Sequence, residues 1–198
     1  MREPDNIREV AQLRPDYMGF IFYDKTPRYV GDDFIFPEGF PSTTKRVGVF
    51  VNSSSQAILS KVGEFKLDFV QLHGHETVGQ CRELRQQGLK VIKAFSVDEN
   101  MDFTVTKPYK DAVDYILFDT KGKFYGGNAR TFDWSVLARY DQAVPFFLSG
   151  GITPENVGAI KELKGLNIRA IDVNSGVERR PAFKDVEKIK AIKAILKI

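Results

Sequence analysis

Three places in the sequence put reactive or anion-binding residue types at the end of an apolar run. Asp119 closes the run DYILFD, Gly150 and Gly151 close PFFLSGG, and Ser175 and Gly176 follow RAIDVN. Adjacent glycines let backbone N–H groups approach an anion closely, and a short helix beginning near Ser175 would favour a phosphate at its N-terminus. Tight turns alone would also explain one glycine pair, but two such turns in succession favour phosphate binding. The carboxylate of Asp119 is either a loop cap or an acid–base group.

Four further side chains could bind a ligand or take part in a reaction. Arg28 lies in the Pro- and Gly-rich stretch 24–43 and could hold a carboxylate through two parallel hydrogen bonds, although most loop arginines are simply solvated. His73 and His75 are the only histidines, and no third ligand follows at a metal-like spacing, so the sequence predicts no metal site. Cys81 shares helical spacing with apolar neighbours, which favours a buried packing residue over a nucleophile.

Seven short apolar runs must position these residues, and helix-like segments separate most of them. Runs that are apolar on both faces are typical of parallel strands covered on both sides. We predict strands over 17–22, 46–51, 68–73, 90–95, 114–119, 145–150 and 169–174. We predict helices from Pro4 onward and over 54–65, 76–87, 133–141, 154–164 and 182–197.

This order predicts an α/β protein with a TIM (β/α)₈ barrel whose first strand is missing from the 198 residues. Residues 1–198 would then form a single barrel domain. In such a barrel the carboxyl ends of the strands carry the chemistry, which is where Asp119 and both glycine turns fall. An open doubly wound sheet is the alternative fold, but its G-x-G-x-x-G turn after a first strand is absent.

The composition narrows the class of protein. Hydrophobic residues make up 42% and charged residues 28% of the chain, and no apolar run approaches the roughly 20 residues that span a bilayer. A net charge of +3, concentrated in a lysine-rich last helix, argues against nucleic-acid binding. One cysteine and no apolar signal core indicate a cytoplasmic protein that is neither secreted nor membrane-bound.

Five segments carry a resemblance to a known family. In chain order, the segments are GFIFYDKTPRYV, VQLHGHE, LFDTKGKFYGGNARTFDW, FFLSGGITPENV and IDVNSGVE. Together they resemble phosphoribosylanthranilate isomerase, a (β/α)₈ enzyme of tryptophan biosynthesis. The resemblance runs from Met1 almost to the C-terminus. It implies an Amadori rearrangement of N-(5-phosphoribosyl)anthranilate to 1-(2-carboxyphenylamino)-1-deoxyribulose 5-phosphate, without metal, cofactor or redox step.

The resemblance also implies residue roles. Asp119 would be the general acid that protonates the ribose ring oxygen, Arg28 would bind the anthranilate carboxylate, and the last two loops would hold the phosphate. The phosphate-binding residues would be Gly150, Gly151, Ser175 and Gly176, and the other substrate-binding residues Gln71, His73, Gly127 and Asp172. In GGNAR, Asn128 and Ala129 replace the family's Thr-Gly, which departs from the usual loop geometry. The expected partner is a small phosphosugar, and the enzyme would be a monomer or homodimer.

The general base is the main departure. The resemblance implies a base cysteine in a short strand ending Ile-Cys-Gly, directly before the segment that matches MREPDNI. The 198 residues do not contain that strand, and Cys81 on an outer helix cannot replace it. A mis-set start codon or a truncation would explain this, as would a natural chain that has lost catalysis. In either case we expect little isomerase activity from the 198 residues.

Two other functions stay open. A non-catalytic phosphosugar-binding barrel would suit the missing base. Another phosphate-binding barrel enzyme, such as indole-glycerol-phosphate synthase, needs a catalytic lysine at a strand end, and Lys93 lies in the strand predicted over 90–95. The TPRY and FDT segments favour the isomerase.

Overall fold

The computed structural model describes residues 1–120 and 132–198. Its centre is a parallel sheet of seven strands that follow one another in sequence order. All seven predicted strands are confirmed to within a few residues. They are β1 Tyr17–Ile21, β2 Lys45–Phe50, β3 Phe69–Leu72, β4 Lys90–Val97, β5 Tyr115–Thr120, β6 Phe146–Leu148 and β7 Ile168–Ile171.

The strands are buried on both faces, as their continuous apolar runs predicted. Ile116 and Phe118 belong to the large core between the sheet and its helices, whereas Leu117 between them belongs to a smaller inner core. Successive side chains of a strand point to opposite faces, so this assignment places protein on both sides of β5. The inner core comprises Val47, Ile92, Ala94, Leu117 and Phe147.

In the described residues, four α-helices begin at recognisable caps or at a proline. The helix α1 has Pro4 in its first turn, and α2, α3 and α4 follow Ser54, Thr77 and Asp185, whose side chains each accept a backbone N–H of the first turn. The bounds are α1 Pro4–Ala11, α2 Ser55–Phe65, α3 Val78–Gln86 and α4 Val186–Leu196. Cys81 is fully buried in α3, which confirms its predicted packing role.

Several predicted helices differ in type or length. The segments predicted over 133–141 and 154–164 form 3₁₀ helices, Trp134–Arg139 and Val157–Glu162. Each has only six residues, too short for a stable α-helix. A third 3₁₀ helix, Phe103–Tyr109, was not predicted. Pro108 lies inside it and cannot donate a backbone hydrogen bond, which favours the short form.

The last predicted helix begins later than expected. Residues before Val186 form a small antiparallel hairpin of β8 Glu178–Arg180 and β9 Phe183–Lys184. Asp185 then caps α4 by accepting hydrogen bonds from the N–H groups of Glu187 and Lys188. The hairpin matters for the site because it carries Glu178 and Lys184.

The two ends of the sheet do not pair with each other in the described part of the chain. The strand β1 pairs only with β2, and β7 only with β6. At the end of β1, Ile21 forms one isolated bridge with Tyr29, and the amine of Met1 lies 3.4 Å from the carbonyl oxygen of Gly19 within β1. In the described part of the chain, the sheet is therefore a curled barrel wall with a gap between β1 and β7.

Candidate functional site

A cavity of about 580 Å³ lies on the concave side of the sheet. It is lined at one end by the loops that follow the carboxyl ends of the strands, and it extends to Met18 on β1 and Ala170 on β7. Nine of the predicted site residues line it: Arg28, Gln71, His73, Asp119, Gly150, Gly151, Asp172, Ser175 and Gly176. The tenth, Gly127, lies outside the described residues, as do Asn128 and Ala129.

Asp119 sits at the end of β5 with a side chain that is 13% exposed. Its Oδ1 accepts a hydrogen bond of 2.9 Å from the N–H of Thr120, and its Oδ2 lies 3.3 Å from Nε2 of His73. The Nδ1 atom of His73 is 3.0 Å from Nε2 of Gln71. With the Gln71 amide assigned as donor, the hydrogen of the neutral ring is on Nε2 and faces Asp119. The sequence did not predict this contact.

Asp172 faces the same cavity from the end of β7, which is separated from β5 by β6. Its Oδ2 accepts a hydrogen bond of 3.2 Å from the hydroxyl of Ser149. Burial raises the pKa of Asp172 above its usual value, and the negative charge of Asp119 raises it further. Two carboxyl groups with different surroundings thus meet at one end of the cavity, an arrangement suited to proton transfer.

The two glycine turns form a cradle of free backbone donors. The N–H groups of Gly150, Gly151, Ser175 and Gly176 donate no hydrogen bond to any described residue. Gly150 has a φ of +98°, and a Cβ on Gly176 would lie 2.0 Å from the carbonyl oxygen of Ile152. Both positions therefore need glycine. Four unpaired donors in one cavity wall are the ordinary means of binding a phosphate.

The predicted short helix after β7 is confirmed as a 3₁₀ turn over Ser175–Val177. Beside the glycine cradle, the hydroxyl oxygen of Thr120 is buried without a hydrogen-bond partner among the described residues. Thr120 lines the cavity, so this hydroxyl can serve a ligand oxygen. Its signal in the sequence is weak, since a threonine after an apolar strand is common.

Arg28 is not the solvated loop arginine that was the alternative interpretation, because its side chain is 11% exposed and paired. Its Nε lies 3.1 and 3.0 Å from the two carboxylate oxygens of Glu178, and its Nη2 lies 2.7 Å from Oε2. Glu178 also accepts a hydrogen bond of 3.1 Å from Nζ of Lys184. Sequence analysis missed both partners because they lie 150 residues or more further along the chain, in the unpredicted hairpin.

Lys93 does not line the cavity. Its side chain is 3% exposed, and its ammonium lies 3.2 Å from Oε2 of Glu76 and donates to the carbonyl oxygens of Leu72, Gly74 and Ala94. A lysine with these partners supports the loop after β3. This arrangement does not suit the catalytic lysine that an indole-glycerol-phosphate synthase requires.

Comparisons with known proteins agree with this geometry. The family model described as N-(5'-phosphoribosyl)anthranilate (PRA) isomerase matches residues 1–194. N-(5'-phosphoribosyl)anthranilate isomerase of Parabacteroides distasonis is 44% identical over 193 residues, which cover 96% of this chain and 87% of the relative. The protein of the same name from Phocaeicola vulgatus is 46% identical over 185 residues, covering 93% and 89%.

Solved structures show the same fold. The crystal structure of phosphoribosyl anthranilate isomerase from Thermotoga maritima has a TM-score of 0.87 and 35% identity, covering 100% of this chain and 96% of that one. A phosphoribosyl anthranilate isomerase in complex with reduced 1-(o-carboxyphenylamino)-1-deoxyribulose 5-phosphate has a TM-score of 0.82 and 33% identity, covering 100% and 96%. These likenesses confirm the predicted TIM-barrel class.

The described residues give two further findings. None of their helices is long and apolar enough to cross a membrane. Residues 1–120 and 132–198 hold no group of three or more His, Cys, Asp or Glu arranged around a common metal position. With the match over residues 1–194 and the identities above 40%, the chain belongs to the N-(5'-phosphoribosyl)anthranilate isomerase family.

Proposed function

We propose that the site of this chain serves the family's isomerisation of N-(5-phosphoribosyl)anthranilate in tryptophan biosynthesis, with Asp119 as the general acid and the base supplied by a cysteine outside the 198 residues. One observation carries the assignment: the Asp119 carboxylate shares a cavity with the N–H groups of Gly150, Gly151, Ser175 and Gly176, which donate to none of the described residues. A phosphate on this cradle anchors the sugar, and the sugar's ring then lies within the same cavity as the acid.

The chemistry requires an acid and a base. Protonation of the furanose oxygen by Asp119 lets the C–O bond break, and the aniline nitrogen's electrons form an iminium ion. The positive iminium weakens the neighbouring C–H bond, so a base can remove that proton and give an enolamine, which becomes the aminoketose. His73 and Gln71 hold the Asp119 side chain in place, and Asp172 and Thr120 can hydrogen-bond the sugar.

The substrate has a carboxylate as well as a phosphate. We assign the carboxylate to Arg28, whose guanidinium lines the cavity on the side of the hairpin β8–β9. A relative's complex with the reduced product analogue supports a ligand of this chemistry in the fold. Gly127 stays a proposed substrate contact on the resemblance alone.

The base has no candidate cysteine in the cavity. The one cysteine of the 198 residues, Cys81, is buried in α3, and burial raises its pKa to about 11. A thiol with this pKa is neutral near pH 7, and Cys81 does not line the cavity. We therefore expect the 198-residue chain to bind the substrate but to turn it over poorly.

The test measures turnover in a chain extended at its N-terminus by a Lys-Ile-Cys-Gly strand, beside the 198-residue chain. We expect the extended chain to be faster by orders of magnitude, and Asp119→Asn in it to lower kcat by about 10²–10⁴ while the reduced product analogue still binds. Equal turnover of the two chains would contradict the assignment of the base. An unchanged kcat in Asp119→Asn would contradict the role of Asp119. Binding without turnover in both would favour the non-catalytic phosphosugar-binding barrel.

We also propose that residues 1–198 form one domain that acts in the cytoplasm as a monomer or homodimer. The continuous seven-stranded sheet supports one domain. The single cysteine suits a reducing compartment.

A further inference from the structure

A largely buried cluster of charged side chains in the cavity wall comprises Arg28, Glu178 and Lys184. The exposed fractions of their side chains are 11%, 5% and 9%. The Glu178 carboxylate receives both Nε and Nη2 of Arg28, the ammonium of Lys184 and the N–H of Ala182. Lys184 in turn donates to the carbonyl and side-chain oxygens of Asn174. The carboxylate of Glu178 and the ammonium of Lys184 therefore both have their hydrogen-bond partners within the protein.

The guanidinium of Arg28 has one edge occupied and one edge free. A guanidinium offers two edges, each with two parallel N–H bonds that match a carboxylate. Glu178 occupies the Nε–Nη2 edge. In the residues that the structure describes, Nη1 of Arg28 donates to nothing. The edge formed by Nη1 and the second hydrogen of Nη2 is thus available to a second carboxylate.

The charges of the cluster leave a surplus that suits an anion. Burial alone would raise the pKa of Glu178, but the hydrogen bond from Arg28 and the charge of Lys184 outweigh burial, so the pKa lies below its usual value. Glu178 is therefore ionised near pH 7. The two cations and one anion of the cluster give it a net charge of +1, and within the described residues its open donor edge belongs to Arg28.

We propose that Glu178 is a positioning residue for substrate recognition: it holds Arg28 by one edge so that the other edge receives the carboxylate of the substrate's aromatic ring. The proposal rests on the proposed function, because it takes Arg28 as the carboxylate ligand. Arg28 lies on the long loop after β1, where an arginine without a fixed partner would sample many rotamers. Pairing with Glu178 removes that freedom before the ligand arrives, which is how preorganisation increases affinity.

A purely structural role makes a different prediction. Glu178 also ties the residue-28 loop to the hairpin β8–β9, so its loss could loosen the whole cavity. Loosening would weaken every ligand of the cavity equally. Positioning affects only ligands that carry a carboxylate for Arg28. Two ligands that differ in this one group therefore separate the two roles.

The experiment measures dissociation constants by titration calorimetry on the 198-residue chain. The ligands are reduced 1-(o-carboxyphenylamino)-1-deoxyribulose 5-phosphate and its counterpart that lacks the ring carboxylate. The variants are Arg28→Lys, Glu178→Gln and Glu178→Asp, with Glu3→Gln as control. Glu3 pairs with Arg180 on the surface, so the control removes one acidic charge from an arginine pair outside the cavity.

We expect Glu178→Gln to weaken the carboxylated ligand about tenfold and to change the other ligand less than about twofold. This substitution raises the net charge of the cluster from +1 to +2, which by itself would tighten carboxylate binding. Selective weakening therefore reports lost positioning. Glu178→Asp keeps the charge and should show a smaller selective loss; it also serves as the test if Glu178→Gln does not fold. Glu3→Gln should leave both constants unchanged.

Three results would overturn the proposal. Equal weakening of both ligands by Glu178→Gln would assign Glu178 a structural role. Unchanged or tighter binding of the carboxylated ligand would show that positioning does not matter. If Arg28→Lys also changes the two dissociation constants equally, the carboxylate role of Arg28 in the proposed function fails as well. If Arg28→Lys weakens only the carboxylated ligand while Glu178→Gln does not, the failure is limited to the positioning role of Glu178.

Discussion

At the scale of single residues, the site depends on contacts that fix otherwise ordinary groups. Asp119 is held by the N–H of Thr120 and by His73, and the ring of His73 is held by Gln71. Asp172 is held by Ser149. These contacts fix both carboxyl groups at one end of the cavity, so a bound sugar meets a preorganised acid rather than a mobile side chain.

The glycine at position 150 gives a test of the phosphate cradle. A Cβ on Gly150 would lie 2.2 Å from Oγ1 and 2.7 Å from N of Thr120, in addition to the strain of a φ of +98°. Gly165, with a φ of +77°, has nothing within 4 Å of the added Cβ. We expect Gly165→Ala to cost about 1 kcal/mol of stability and to leave binding of the product analogue unchanged.

Gly150→Ala should cost more stability than Gly165→Ala and weaken the product analogue about tenfold or more, because the backbone donors must shift. Urea unfolding and calorimetry measure the two effects. Equal stability losses in the two variants, with binding intact, would remove Gly150 from the phosphate site.

Asp172 makes stability depend on pH. Its pKa in the folded protein lies above the usual carboxyl value because of burial and the nearby charge of Asp119. The folded state therefore holds the proton more tightly than the unfolded state, so this group lowers stability as the pH rises from about 4 toward neutrality. We expect Asp172→Asn to be more stable than the unchanged chain at pH 7, with an advantage that shrinks toward pH 4.

Urea unfolding at a series of pH values measures this difference. The asparagine keeps an oxygen that can accept the hydrogen bond from Ser149, so the comparison isolates the charge. A stability difference that does not change with pH would show that Asp172 titrates normally.

At the scale of elements, the loops rest on buried supports that the sequence does not reveal. The loop after β3, which carries His73, is held by Glu76: its carboxylate accepts the N–H groups of Asn52 and Gly74 and pairs with Lys93. The long loop after β1 packs Phe34 and Phe36 against one another and onto β1, with ring centroids 5.0 Å apart. Both loops are therefore fixed rather than free.

Breaking the buried pair should be costly. Glu76 is fully buried and Lys93 nearly so, so Lys93→Met would leave an uncompensated carboxylate and cost about 3–5 kcal/mol. Lys45 and Asp68 form a matched exposed pair, with exposed fractions of 47% and 37%, and Lys45→Met should cost less than about 1 kcal/mol. Thermal or urea unfolding measures both losses of stability. Similar losses in the two variants would show that the buried Lys93 ammonium stabilises the fold no more than an exposed lysine does.

At the scale of the whole molecule, the main feature is the gap in the barrel wall. The strands β1 and β7 each lack a second neighbour in the described part of the chain, and apolar residues of α4, including Ile192 and Leu196, line the cavity that reaches the gap. Unpaired parallel edges beside apolar side chains invite pairing with another chain.

A chain extended by a Lys-Ile-Cys-Gly strand should therefore be more stable than the 198 residues and associate less with itself. The added strand can pair with both edges and cover the apolar gap. Urea unfolding and light scattering at several protein concentrations measure the two effects. A Ser in place of the added Cys is the control, since it keeps the strand but removes the thiol. Equal stability and association of the two chains would contradict this view of the gap.

The sequence alone determined the strands and the barrel class, because apolar periodicity is a local signal, and its strand-end motifs gave nine of the cavity's lining residues and the resemblance to the family. Asp119, the two glycine turns and Gln71 with His73 were all placed correctly at the cavity. Only the tertiary structure decided which of these groups touch. The pairs Arg28–Glu178, His73–Asp119 and Lys93–Glu76 join residues from separate loops and strands. Such contacts depend on how the sheet curls, and no local pattern of residues encodes that curvature.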